Sequence, residues 1–195
     1  RCYLIRHGQI AGYDRFPVYG HTDVEMTEVG ILQMEKLSER LRLARISAVY
    51  SSDLMRSVQG ARIIARHHDV PLNPLPELRE MYFGDWEGKT LEEIRESHAD
   101  ALERREADMV RFRPPGNGES VAGLAERILP PFKKILEEQK GGEILFVGHG
   151  MVNRILLSDA LGLDLSRIFS FQQDYGCLNI IDYFADRTVL KLLNG

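Results

Sequence analysis

The chain has 195 residues, is 44% hydrophobic and carries 25 basic against 29 acidic residues, for a net charge of −4. That is enough apolar material for a substantial core in one compact domain. It has no lysine or arginine tract of the kind that grips nucleic acid or an anionic membrane, and no apolar run near the ~20 residues that span a bilayer. No nucleic-acid partner and no membrane role are therefore expected, and a cytoplasmic location is.

The elements alternate between short apolar runs and longer helical patterns, as in a layered α/β domain. Residues 2–5 read as a buried strand that ends at Arg6-His7-Gly8, and residues 9–26 read as loop. Thr27 caps a helix that buries Met34, Leu37 and Leu41 and ends near Ala44. A second strand covers residues 48–50. Ser51-Ser52-Asp53 then reads as a capping cluster, opening a helix with Leu54, Val58, Ala61 and Ala65 on one face and Arg56 in its first turns.

Prolines at 71, 74 and 76 keep the chain extended through Leu78. Residues 90–105 form a charged helical stretch with few apolar positions, expected outside the main core. A loop at 113–118 leads into a helix burying Val121, Leu124 and Ile128, which Pro130-Pro131 is expected to kink or restart before Ile135 and Leu136. Residues 143–147 are the strongest strand, apolar almost throughout as if covered on both faces. It ends at Gly148-His149-Gly150, and a helix over 152–161 stops at Gly162. Two strands, near 177–183 and 188–193, close the chain around a turn at Ala185-Asp186. Cys2 and Cys177, two cysteines without a CxxC or CxH context, read as reduced core thiols.

His7 and His149 occupy matching positions, each directly after an apolar strand and before a glycine. In an open α/β sheet, ligands bind in the crevice at the carboxyl ends of the strands. Arg6 and Arg56 approach the same crevice, and guanidinium groups match phosphate with paired donors, so an anionic ligand is favoured. Either histidine alone reads first as a structural group hydrogen-bonded at a sheet edge, and Arg56 alone as a solvated surface residue.

Taken in order, Arg6-His7-Gly8, Gly20-His21-Thr22-Asp23, Ser51-Ser52-Asp53-Leu54-Met55-Arg56, the segment from Leu78 through Phe83-Gly84-Asp85-Trp86-Glu87-Gly88, and Gly148-His149-Gly150 resemble the histidine phosphatase superfamily, the phosphoglycerate mutase-like proteins. The resemblance covers nearly the whole chain. It implies a three-layer α/β/α sandwich with a largely parallel central sheet, one domain over 1–195, and a small helical cap segment near 88–118.

The same resemblance implies that His7 is the nucleophile, with Arg6, Arg56 and His149 holding phosphate, His149 as imidazolium. Glu80 is implied as the acid/base residue; spacing alone leaves Glu77 and Asp85 as rivals. Glu87 reads as ordinary turn structure and Trp86 as packing. Gly8 and Gly150 are expected to allow close backbone approach. Family members often carry serine or threonine two residues after the Arg-His-Gly glycine, where this chain has Ile10, so Gln9 or the backbone of Gly20 is expected to supply donors instead. His21 and Thr22 are further substrate-binding candidates. No metal and no cofactor are implied.

The expected partner is a small phosphate ester, and a homodimer is compatible with this. The acidic stretch at 91–96 favours a phosphatase over a mutase. The segments at 20–23 and 115–120 look like those of α-ribazole phosphatases of cobalamin biosynthesis. A broad sugar-phosphate or nucleotide phosphatase is the runner-up, and a non-catalytic phospho-ligand binding module stands as the alternative of a different class.

Overall fold

A computed structural model describes residues 1–15 and 17–195; Phe16, within the expected 9–26 loop, lies outside the described residues. Six strands form one sheet: β1 (Cys2–Arg6), β2 (Ile46–Ser51), β3 (Leu72–Pro74), β4 (Glu143–Gly148), β5 (Leu178–Tyr183) and β6 (Thr188–Leu192), in the order β3-β2-β4-β1-β5-β6. The pairs β3-β2, β2-β4 and β4-β1 are parallel, while β5 runs antiparallel to β1 and to β6. Helices α1 (Glu28–Leu41) and α2 (Met55–Ala65) cover one face. Helices α5 (Val121–Glu138) and α6 (Gly150–Leu161) cover the other, giving the expected three layers.

Strand alternation divides the core into two halves. Cys2, Leu4, Ile144 and Phe146 face α5 and α6, whereas Tyr3, Ile5, Leu145 and Val147 face α1 and α2. Most of these side chains are fully buried, each contributing ~1.5–3 kcal/mol. Because β1 and β4 carry apolar residues on both sides, neither can sit at an edge, which places their ends in the middle of the crevice. Both cysteines are buried and free, as expected.

Several boundaries differ from the sequence expectation, each for a local reason. Ser51 belongs to β2, and the cap of α2 is Leu54, with no side-chain cap of its own. Asp23, from the loop before α1, accepts the Met55 N–H at 2.8 Å in place of the expected cluster, while Asp53 pairs with Arg79 at 2.6 Å. The proline-rich segment contains β3, paired with the end of β2, followed by a 3-10 turn at Pro76–Leu78.

Helix α5 neither stops nor restarts at Pro130-Pro131. An interior proline costs ~3 kcal/mol, but Phe132 and Ile135 beyond it are buried with Ile128 on one stripe, and burying two such side chains returns a comparable amount. The charged stretch forms two short helices, α3 (Leu91–Ser97) and α4 (Ala99–Ala107), interrupted at His98. Their Ile94 and Ala101 pack with Trp86 in a small cluster separate from the sheet core, and Trp86 stacks on Phe112 at 5.5 Å. Among the described residues, no helix is long and apolar enough to cross a membrane, and no group of His, Cys, Asp or Glu is arranged to hold a metal ion.

Candidate active site

Register brings the two histidines together. Arg6 of β1 stands opposite Gly148 of β4, and the His7 N–H donates to the Gly148 carbonyl at 3.1 Å. The next residue on each strand is a histidine, and adjacent strands lie ~4.8 Å apart. The rings accordingly meet edge to face with centroids 5.2 Å apart. Both are buried, His7 at 3% exposure and His149 at 0%.

His7 Nδ1 lies 2.8 Å from the Gly8 carbonyl, which can only accept, so Nδ1 carries the proton and Nε2 keeps its lone pair. Burial, then Arg56 and Arg6, hold the His7 imidazole well below its ordinary value. It is therefore neutral near pH 7, as a nucleophile must be. Burial and the same cations, with His7 itself, likewise hold His149 well below the ordinary range. Without an anion beside it, His149 is thus held toward the neutral ring, first by burial and then by the neighbouring guanidinium groups, whereas the sequence reading expected an imidazolium in the phosphate pocket.

Those neutral rings have a consequence for stability. The unfolded chain takes up protons on both below pH ~6.5, whereas the folded chain does not. Stability therefore falls as pH drops below ~6.5, by up to ~1.4 kcal/mol per pH unit for each ring, until the folded-state values are reached. Urea midpoints should decline from pH 6.5 to 5, and His149→Asn should flatten that decline. An unchanged slope in the variant would show that the ring is charged in the fold.

Arg6 sends Nη1 to the Gln173 carbonyl at 2.6 Å and lies over the Tyr175 ring at 3.9 Å. Tyr175 also tilts against His7 at 5.6 Å. Arg56, 1% exposed, is held by the carbonyls of Thr22 at 2.9 Å and Gly20 at 2.6 Å. Arg6 Nε, Arg56 Nε and His149 Nδ1 are buried without a hydrogen-bond partner in the protein. Buried, unpaired nitrogens of this kind suit an anion; of the three residues, Arg6 lines the cavity at Glu80, and Arg56 and His149 do not.

Glu80 is 7% exposed, and its two oxygens accept the N–H groups of Met81 at 2.8 Å and Met151 at 3.0 Å. Arg127, paired with Glu119, gathers the carbonyls of Glu77, Arg79 and Glu80, which fixes the backbone that carries this carboxylate. A cavity of about 220 Å³ is lined by Arg6, His7, Glu80, Gly150, Arg154 and Tyr175, among others. Glu77 and Asp85 are exposed and do not line it, so of the three carboxylates Glu80 is the one that reaches this cavity.

The secondary candidates are placed differently from expectation. The Gln9 N–H donates to the Gln33 side-chain oxygen, and the Gln9 side-chain oxygen accepts from the Thr27 hydroxyl. The N–H groups of Gly20, His21 and Thr22 and the Thr22 hydroxyl all go to the carboxylate of Glu87. The N–H groups of Gln9, Gly20, His21 and Thr22 are thus engaged within the protein, and none of these residues lines the cavity.

Glu87, read from sequence as turn structure, is the hub of that loop. Burial raises its pKa, but the hydrogen bonds from Thr22, Phe83 and His21 outweigh burial and keep the carboxyl below its usual range. Because the carbonyls of the same loop hold Arg56, Glu87 sets where that guanidinium sits. Gly8 is needed for packing: a Cβ there would run into the backbone of Gly30 in α1. At Gly150 a Cβ would come within 3.5 Å of the Arg6 guanidinium carbon, an ordinary contact.

A model of the histidine phosphatase superfamily (branch 1) matches residues 2–195. The adenosylcobalamin/alpha-ribazole phosphatase of Salmonella typhimurium is 30% identical over 195 residues, covering all of this chain and 96% of that protein. The solved structure of the alpha-ribazole phosphatase from Shigella flexneri superposes with a TM-score of 0.91 at 28% identity, over 100% of this chain and 96% of that one. Bacillus stearothermophilus YhfR gives 0.90 at 27% identity, over 98% and 95%. The chain belongs to the histidine phosphatase superfamily, branch 1, and is an enzyme of the phosphoric monoester hydrolase class.

Proposed function

We propose that this enzyme hydrolyses α-ribazole 5′-phosphate in two steps through a phosphohistidine on His7. In the first step, His7 Nε2 attacks phosphorus, the P–O bond to the ribose breaks, and Glu80 gives its proton to the departing alkoxide. The Gly8 carbonyl, on Nδ1–H, supports the positive charge that appears on the imidazole. In the second step Glu80 takes a proton from water, the hydroxide attacks phosphorus, and the N–P bond breaks to return neutral His7 and inorganic phosphate. Arg6, Arg56 and His149 donate to the phosphoryl oxygens throughout, where preorganised donors lower the barrier most.

The observation that carries this reading is the meeting of His7 and His149 at 5.2 Å, with Glu80 lining the same cavity as His7. The substrate is supported by the named relatives and by a second cavity of about 220 Å³ sharing Val18, Phe83 and Met151 with the first. Its walls include Trp86, Phe112 and Arg105, almost all of them apolar. Such a chamber suits the flat aromatic base of an α-riboside phosphate better than the hydroxyls of a sugar phosphate. Arg105 of α4 contributes to its walls with Met109, Phe112 and Pro114 beyond it, and we read the segment near 88–118 as the small cap of a single domain.

Steady-state rates on a panel containing α-ribazole 5′-phosphate, sugar phosphates, nucleotides and 3-phosphoglycerate test the assignment. The α-riboside should have the highest kcat/KM, by ~10-fold or more, consistent with a buried aromatic group of a few kcal/mol. A sugar phosphate or nucleotide preferred by a similar margin would overturn the substrate. No phosphate release from any ester would overturn the activity.

A further inference from the structure

We propose that Ser52 is a positioning residue that fixes the tautomer of His149, making Nδ1–H the donor offered to the phosphoryl group. The proposal rests on the reading of this site as a phosphoryl-transfer site and extends it to a residue outside the cavity.

Ser52 Oγ lies 2.7 Å from His149 Nε2, and both residues are 0% exposed. The hydroxyl oxygen already accepts the Leu54 N–H at 3.3 Å. Among the described residues, His149 Nε2 is the one acceptor within reach of the hydroxyl's own proton. A hydroxyl that donates to Nε2 requires a lone pair there, and a neutral imidazole with its lone pair on Nε2 carries its proton on Nδ1. That Nδ1 is buried without a partner, on a ring 5.2 Å from His7.

The placement follows from the sheet. Ser51 of β2 stands opposite Val147 of β4, so the next residues, Ser52 and Gly148, face each other and His149 comes one step later. Ser57 locks this corner by accepting the Ser52 N–H at 3.2 Å while donating to the Val147 carbonyl. The neutral state of His149, held by burial and by Arg56, means that its donor geometry depends on a tautomer and not on charge. With the opposite tautomer, an Nδ1 lone pair would face the phosphoryl oxygens and repel them.

Long-range proton–nitrogen spectra of the histidine rings, with His149 assigned by loss of its signals in His149→Asn, provide the test. In the wild-type protein Nε2 of His149 should be pyridine-like and Nδ1 pyrrole-like. In Ser52→Ala this pattern should become mixed or reversed, while Ser52→Thr, which keeps the hydroxyl, should retain it. Competitive inhibition by orthovanadate should weaken by ~10- to 100-fold in Ser52→Ala, the range for a hydrogen bond to a charged group. The same substitution in a His149→Ala background should add less than about 2-fold.

A pyrrole-like Nε2 in the wild-type protein would overturn the proposal, and so would a Ser52→Ala loss that persists undiminished without His149. Should Ser52→Ala fail to fold, the wild-type and Ser52→Thr spectra decide the tautomer on their own. The spectra do not depend on turnover, so an inactive protein with the expected tautomer would count against the phosphatase assignment while leaving the tautomer assignment standing.

Discussion

Alanine in place of His7 lowers phosphate release by ~10⁴-fold or more, the scale of loss when a nucleophile is deleted from a covalent mechanism. The ring is 3% exposed, yet its polar contact is a local one, to the Gly8 carbonyl. Its removal also takes away a buried group that resists protonation. The fold should therefore survive, with a thermal midpoint close to that of the parent. Quenched-flow phosphate release, alongside intact mass after an alkaline quench, measures both parts. Loss of the phosphorylated species together with the rate is the expected result. A variant that hydrolyses esters at a rate comparable to the parent would mean that water attacks phosphorus directly.

Glu80→Gln separates the two proton transfers. A departing alkoxide is strongly basic, so with an alkyl phosphate the phosphorylation step should slow by ~10²- to 10⁴-fold. A phenolate leaves without help, and an aryl phosphate should lose much less in that step. Dephosphorylation still lacks its base, so the aryl ester should show a burst of phenol followed by slow turnover. Glutamine keeps a single acceptor oxygen, so one of the Met81 and Met151 N–H groups retains its partner and the other meets the amide NH2; the thermal midpoint of the variant is therefore measured alongside its rates. Equal losses in the first step for both esters would make Glu80 a binding residue and return Asp85 or Glu77 to consideration.

The parts of this protein written in periodic apolar runs were legible from the sequence. β1 and β4 are apolar on both faces because helices cover both, and their ends carry the two histidines; nothing more than strand register is needed to join them. Helix α1 was equally plain, with Thr27 accepting the Gly30 N–H as its cap.

The failures lie where a side chain answers to a distant part of the chain. Ser51-Ser52-Asp53 has the local chemistry of a cap, but β2 claims Ser51, His149 claims Ser52 and Arg79 claims Asp53. Glu87 sits in a turn and looks like one more surface carboxylate, yet four backbone N–H groups converge on it. Tyr175, Gln173 and Arg154 gave no signal at all, since they reach the site from irregular chain and from the second turn of α6. The reading that placed donors at Gln9 or Gly20 was sound local chemistry, but the Gly20 N–H goes to Glu87 and the Gln9 N–H to Gln33.

The central claim is that phosphorus passes through His7 on its way from the ester to water. The stereochemical course at phosphorus tests it most directly, using an ester made chiral with sulfur and oxygen isotopes and hydrolysed in labelled water. Two successive in-line displacements, first by His7 Nε2 and then by water, predict net retention of configuration. Net inversion would mean a single displacement by water, and would contradict the account.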